Sequence, residues 1–342
     1  MIERRETPLT EPSVWVGSDF QNSEEWIVRL TAGDIAELND TVAMVKRRGL
    51  SVPDISKDDF VLPRFEAVLQ DVSDELENGR GFVLLRGIPV EDFSPDDLTL
   101  LYWGLGTHLG EVISQNGRGD LIGHVTDLGF DITQPNVRGY TTSAGLRPHN
   151  DSADLVGLLC VQPARRGGES MIASATAIFN SILRDEPDCL NTLYDGFHYD
   201  VRGEGVTGKL TEVTRNRVPV YSYHKGRMSC RFNSKAIETA ADKTGEPLSP
   251  LQRRALRLIE DRANDPAYHL KMMLQPGDLQ LLNNFVVLHT RTPYEDAEPP
   301  AAKRLLLRLW INLWEGRELA PRFADRYNAG ARQGVPAQAP AP

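Results

Sequence analysis

Between Lys303 and Ile311 the chain reads Lys-Arg-Leu-Leu-Leu-Arg-Leu-Trp-Ile, a pattern that no single environment suits. In an extended strand, successive side chains point to opposite faces. The odd positions Leu305, Leu307, Leu309 and Ile311 then form an unbroken apolar face, while the even positions alternate Arg304, Leu306, Arg308 and Trp310. Solvated edges rarely carry a leucine and a tryptophan beside their charges. The segment therefore predicts a strand with one face in a hydrophobic core and the other lining a cavity. Guanidinium groups in such a cavity can clasp carboxylates through two parallel hydrogen bonds. Arg304 and Arg308 stand about 13 Å apart along such a strand, too far to grip one end of a small diacid together. One is expected to hold an acidic cosubstrate and the other to face the substrate.

Elsewhere the chain supplies partners for such a strand. After residue 110, short apolar runs punctuated by glycine and proline predict strands at 121–125, 154–161, 170–173, 218–224, 228–233, 279–282, 286–290 and 304–312. Helical insertions are expected at about 175–184 and from Ser249-Pro250, where Gln252 is placed for a capping box. The first 80 residues read as helices. Thr31 caps a run with Ile35, Leu38, Val42 and Val45 at helical spacing, stopped by Gly49, and a second run extends from Pro63 to Gly79. A buried strand over 82–87 follows, and Ser94-Pro95 opens another helix. Short, numerous strands with helices packed outside predict a mainly β fold of jelly-roll type. No linker divides the chain, so we expect one domain over 1–329, with a helical part over 1–80 and a jelly-roll core over 81–315. The Ala, Gly, Gln and Pro composition of 330–342 predicts a disordered tail.

A formal net charge of −10 argues against nucleic acid or an anionic membrane surface as a partner. Cys160, Cys189 and Cys230 are odd in number and widely spaced, and Cys160, inside the apolar run 155–161, is expected to be a buried reduced thiol. The N-terminus lacks the apolar stretch of a signal peptide, and no run approaches the ~20 residues of a membrane span, so a cytoplasmic protein is expected. The oligomeric state, a homo-oligomer included, is open at this point.

Two residues apart, His149 and Asp151 lie in Leu-Arg-Pro-His-Asn-Asp-Ser152. Extended backbone turns positions i and i+2 the same way, and Pro148 disfavours the helix that would separate them. His289 ends the apolar run Phe-Val-Val-Leu-His, where alternation sets Phe285, Val287 and His289 on one face. A pair of histidines and one carboxylate on one side of ferrous iron leave three positions open, the arrangement that oxygen-activating non-haem iron enzymes use. Gly167-Gly168-Glu169-Ser170 reads either as a hairpin turn or as the source of a hydroxyl donor, Ser170, to a cosubstrate carboxylate. Arg231 and Phe232 are further candidates for the cavity wall. His108, His124, His198, His224 and His269 have no partner spacing and are read as structural.

These residues together resemble a known family, the taurine dioxygenase and 2,4-dichlorophenoxyacetate dioxygenase superfamily of Fe(II)/2-oxoglutarate-dependent oxygenases. The resemblance runs from about Phe82 to Trp314. It rests on Phe-Val-Leu-Leu-Arg-Gly-Ile-Pro89, His149-Asn-Asp151, Gly-Gly-Glu-Ser170, Asn-Asn-Phe-Val-Val-Leu-His289 and the arginine strand. It implies a double-stranded β-helix of cupin-like type, with His149, Asp151 and His289 as iron ligands. It further implies that Arg304, with Ser170 in place of a family threonine, meets the C5 carboxylate of 2-oxoglutarate. Arg308 matches a position that contacts an anionic substrate group in some members, with Trp310 beside it. The implied reaction uses Fe(II), 2-oxoglutarate and O2 to oxidise a C–H bond of a small, anionic organic substrate, releasing succinate and CO2. Relatives that halogenate carry glycine or alanine at the carboxylate position, so Asp151 implies hydroxylation or a related oxidation. A cupin-like metal enzyme that does not use 2-oxoglutarate and a non-catalytic ligand-binding relative are the competing readings.

Overall fold

The strand at the C-terminal end of the sequence is the spine of the larger of two main sheets. In the computed structural model, which describes residues 3–134, 137–298 and 303–338, it spans Leu305–Leu313 (β14). On one side β14 pairs antiparallel with β5 (Leu155–Gln162). On the other it pairs with β4 (Ile122–Val125) and then β3 (Gly110–Val112). Beyond β5 come β11 (Asp278–Asn283), β2 (Phe82–Arg86) and, parallel to β2, the short β1 (Ile27–Arg29).

One face of this sheet is covered by three helices, α1 (Ala32–Arg47), α2 (Phe65–Glu77) and α3 (Pro95–Leu109). α1 starts where expected: the Thr31 side chain accepts from Asp34 N, and Asp34 caps Thr31 N in return. Leu38, Val42, Leu69, Leu76 and Leu101 from these helices share one core with Leu307, Leu309 and Ile311, the odd positions of β14. The even positions Leu306 and Trp310 belong to a second core on the opposite face. A strand buried on both sides can carry arginine only where the inner face opens into a cavity.

That cavity lies between the large sheet and a smaller one, ordered β10 (His269–Met272), β7 (Ser170–Ser174) and β12 (Val287–Arg291). Backbone bridges continue it past β12 through His149, which pairs with His289 and then with Asn233. Behind it pack α4 (Ala175–Asp185), α5 (Pro187–Asp195) and α7 (Pro250–Asn264). The capping box of α7 forms as read, with Ser249 and Gln252 exchanging hydrogen bonds. All three cysteines are buried and free.

Several elements escape sequence reading. β1, β3 and β10 are too short to show alternation, and α5 and α6 (Ser234–Thr244) are helices of only 9 and 11 residues. The expected strand at 218–224 begins only at Tyr221, and that at 228–233 ends at Cys230. The tail is a correction. Of the expected 330–342, residues 339–342 lie outside the described residues, but 330–338 pack against the protein. Val335 is 1% exposed, its carbonyl accepts from Ser114 Oγ, and Gln338 N donates to Gly117 O at 2.7 Å. Arg332 joins Arg326 (2.8 Å) in neutralising Asp154, whose side chain is fully buried. Composition carries no sign of this, because one arginine, one valine and one glutamine, Arg332, Val335 and Gln338, make the attachment. Deleting residues 330–342 is expected to cost about 2–4 kcal/mol, through the emptied Val335 site and the half-relieved Asp154 charge. A melting temperature equal to that of the full chain would show that the segment adds nothing.

Candidate metal centre and its cavity

Backbone pairing fixes the approach of the two histidines. His149 N donates to His289 O at 3.0 Å, and His289 N donates back to His149 O at 2.9 Å. Asn150, the residue between the first two candidates, is locked from three directions. Its N donates to Phe232 O (2.9 Å), its Oδ1 accepts from Phe232 N (2.8 Å), and its Nδ2 donates to Val287 O (2.8 Å). Asp151 N donates to Asn284 Oδ1 at 3.0 Å. His149 and Asp151 are thereby held facing one way, as the i, i+2 reading anticipates. Asp151 Oδ1 lies 3.9 Å from His149 Nε2, and Oδ2 lies 3.9 Å from His289 Nε2. All three ligand atoms fall within 4.8 Å of one another, close enough for one divalent ion to engage them. No other such cluster occurs among the described residues.

Electrostatics prepares each donor. The His149 ring pairs Nδ1 with Arg147 O at 2.8 Å, which presents Nε2 toward Asp151. Burial, followed by the positive charge of neighbouring groups, pulls His289 down to about 3, and burial also lowers His149. Both rings are neutral near pH 7, as metal ligation requires. Burial on its own raises Asp151, but Arg308, the two histidines and the Trp310 hydrogen bond together hold it at about 2. Two neutral imidazoles and one ionised carboxylate are the donor set of a ferrous site.

Around them the cavity encloses about 460 Å³. Arg304, Leu306, Arg308 and Trp310 all line it, so the even face of β14 reaches the cavity as the alternation predicts. Trp310 does more than form a wall: its indole N–H donates to Asp151 Oδ2 at 2.9 Å. Arg308 Nη1 lies 3.6 Å from the same oxygen, and Arg308 Nε donates to Gln115 Oε1 at 2.7 Å. The Arg308 guanidinium stacks between the Tyr140 and Trp310 rings, and its Nη2 is buried with no partner. Arg304 sits over the Tyr294 ring, its Nη1 buried and without a hydrogen-bond partner among the described residues. Burial, with the positive charge of Arg304 nearby, lowers Arg291 to about 10.

The Gly-Gly turn makes room for Arg304. At Gly168 (φ +76) an added Cβ would stand 3.1 Å from Arg304 Nε, and at Gly167 (φ +71) it would collide with Pro293 O. Ser170 lines the cavity, but its hydroxyl donates to Gln280 Oε1 at 3.0 Å. Arg231 also reaches the cavity. Phe232 does not: it is fully buried in the core, because its backbone is tied to Asn150 and its side chain turns inward. Gln115, Tyr140, Asn150 and Arg291 escaped sequence reading. Only Asn150, lying between two candidate ligands, gave any signal.

Fold and donor set define a non-haem iron oxygenase. The match across residues 47–310 to the family described as "Taurine catabolism dioxygenase TauD, TfdA family" makes the class specific: the chain belongs to that family. It is a 2-oxoglutarate-dependent dioxygenase of Fe(II) and O2. FR-33289 synthase of Streptomyces rubellomurinus is 34% identical over 322 residues, covering 93% of this chain and 94% of the relative. A uridine-5'-phosphate dioxygenase of an Amycolatopsis species is 30% identical over 178 residues, 50% of this chain and 62% of the relative. Among solved structures, an asparagine oxygenase in complex with Fe(II), 3-hydroxyasparagine and succinate superposes with a TM-score of 0.65. The two are 17% identical, over 84% of this chain and 94% of that one. No helix among the described residues is long and apolar enough to cross a membrane.

Partners that orient a ligand are worth roughly a factor of ten or more in metal affinity. Trp310→Phe keeps an aromatic ring but removes the N–H on Asp151, and is expected to weaken Fe(II) binding about tenfold in anaerobic calorimetry. Undiminished affinity would mean that Arg308 alone orients the carboxylate.

Proposed function

We propose that His149, Asp151 and His289 ligate ferrous iron, and that the cavity beside them hydroxylates a C–H bond of a small organic anion. The observation that carries this reading is the convergence of the three donor atoms within 4.8 Å, in a cavity whose wall holds unpartnered guanidinium nitrogens of Arg304 and Arg308. The chemistry that bound Fe(II) and 2-oxoglutarate supply is oxygen activation coupled to decarboxylation of the cosubstrate to succinate and CO2.

The chain's own residues bind, orient and exclude water. Arg304 takes the distal carboxylate of 2-oxoglutarate through its free Nη1, with Ser170 turning its hydroxyl from Gln280 toward the same group. Arg308 offers Nη2 to an anionic group of the substrate while its other face steadies Asp151. Trp310 serves first as the orienting donor to Asp151 and second as an apolar wall. Leu158 and Leu306 line the space between these groups and keep it poor in water.

In this reading the two packed sheets are the halves of a double-stranded β-helix, and residues 1–329 form one oxygenase domain with helices over 1–80 and the jelly-roll core over 81–315. The substrate is a small molecule, not nucleic acid or membrane, as the net charge of −10 supports, and the protein works in the cytoplasm. Relatives named for acting on a nucleoside phosphate and on asparagine support an anionic or zwitterionic substrate.

Titrating 2-oxoglutarate into the anaerobic Fe(II)-loaded protein tests the reading without a substrate. We expect the weak visible metal-to-ligand charge-transfer band of a bidentate 2-oxo acid, absent in His149→Ala. In Arg304→Ala the band should appear only at 2-oxoglutarate concentrations about tenfold higher or more, the loss of a charged hydrogen bond. No band in the wild type despite bound iron would overturn the proposal.

A further inference from the structure

We propose that Arg202 anchors the substrate through a dianionic phosphoryl or phosphonyl group, which rests on reading this cavity as the active site. Most cations along the cavity wall already have partners. Arg326 pairs with Asp154 at 2.8 Å, Arg147 with Glu238 at 2.9 Å, and Arg138 with Glu204. Arg231 donates to the carbonyls of Asp325 (3.3 Å) and Arg326 (3.0 Å). Arg202 is different. Among the described residues its guanidinium makes no hydrogen bond and no ion pair, yet it lines the cavity and is largely screened from solvent.

The carboxylates that flank Arg202 in sequence are engaged elsewhere. Asp200 is held by Lys243 at 2.6 Å and Glu204 by Arg138. Burial, with Arg138 adding to it, lowers the Arg202 guanidinium below its ordinary range, while Tyr327, Glu204 and Asp200 oppose. Arg202, His149 and Asp151 line the same cavity, so an anion on Arg202 shares that space with the metal ligands.

The loop is built to hold the side chain in place. Arg202 has φ +54, a left-handed conformation uncommon for a residue with a side chain, and Asp200 Oδ1 stabilises it by accepting from Arg202 N at 2.7 Å. Asp200 N donates to Ala236 O at 3.0 Å, which joins the loop to the first turn of α6. Lys235, exposed on that turn, lines the rim of the same cavity and makes no ion pair among the described residues. Two unpartnered cations on adjoining segments match a group carrying two negative charges better than a carboxylate carrying one.

Methylphosphonate and acetate are suitable probes, titrated calorimetrically into the anaerobic protein loaded with Fe(II) and 2-oxoglutarate. We expect methylphosphonate to bind the wild type at least about tenfold more tightly than acetate, since two charge-assisted contacts replace one. Arg202→Ala should lose about tenfold of that affinity and Arg202→Lys less, with the 2-oxoglutarate titration of the charge-transfer band and the melting temperature unchanged in both. Equal binding by Arg202→Ala, equal affinity for acetate, or no methylphosphonate binding by the wild type overturns the proposal. So does a weakened 2-oxoglutarate titration in Arg202→Ala, which would assign Arg202 to the cosubstrate. A wild type without the charge-transfer band refutes the iron and 2-oxoglutarate reading instead, and is thereby told apart from failure at Arg202.

Discussion

The period of two along β14 is the constraint on which the rest of this structure depends. Once helices α1 to α3 cover the face built from Leu307, Leu309 and Ile311, every even position must point the other way. Arg304, just before β14, and Arg308 and Trp310 within it then enter the cavity in order, at spacings of about 13 Å and 6.7 Å set by the extended chain. A one-residue slip would bury two guanidinium groups among leucines, at several kcal/mol each on the scale of roughly 3–5 kcal/mol for an unpaired buried charge. Register and site are therefore one feature. The sheet order β11-β5-β14 carries it outward, because pairing on both edges leaves β14 no freedom to shift.

Opposite charges close the centre from the other side. Asp151 would be unfavourable as a buried anion, and Arg308 and the Trp310 indole compensate its charge while the Asp151 backbone N–H, donating to Asn284, fixes its place. The same Arg308 disfavours protons on His149 and His289. One arginine thus favours the ionised carboxylate and adds to the burial that keeps both imidazoles neutral, the state that a divalent metal selects. Gln115, by accepting from Arg308 Nε and donating to the Arg308 carbonyl, keeps that arginine's head and backbone together.

What could be read in the sequence was whatever repeats along one local element. The helical periods after Thr31 and Ser94, the alternation in β14 and the i, i+2 pair at His149 each announce a geometry over a few residues. The meeting of His149 with His289 is a pairing across 140 positions, and their residue types and the family resemblance pointed to it where spacing could not. Gln115, Tyr140 and Arg291 carry no local pattern, since each acts through one contact made by a distant segment. Arg202 is the extreme case: its importance lies in lacking a partner, which no sequence displays. The C-terminal segment misled for the opposite reason, because a low-complexity composition concealed three residues that attach it, Arg332, Val335 and Gln338.

That segment and the residues just before it brace the cavity wall. Arg326 and Tyr327 line the cavity, and Asn328 Nδ2 donates to Glu212 Oε1 (2.7 Å) and Val213 O (3.0 Å), beyond the loop that bears Arg202. Gln338 Nε2 donates to Gly205 O at 3.0 Å, three residues past Arg202, while its backbone N is bound to Gly117. The loop over 200–214 contains no strand or helix of its own, so its order depends on these contacts and on the Arg138–Glu204 pair. A binding residue in a left-handed conformation persists only where its surroundings over-determine it, such strain costing on the order of 1–3 kcal/mol. The last described stretch of chain provides those surroundings. It couples the fully buried Asp154 beneath the cavity to the loop above it, so the stability of the fold and the shape of the substrate wall rest on the same few contacts.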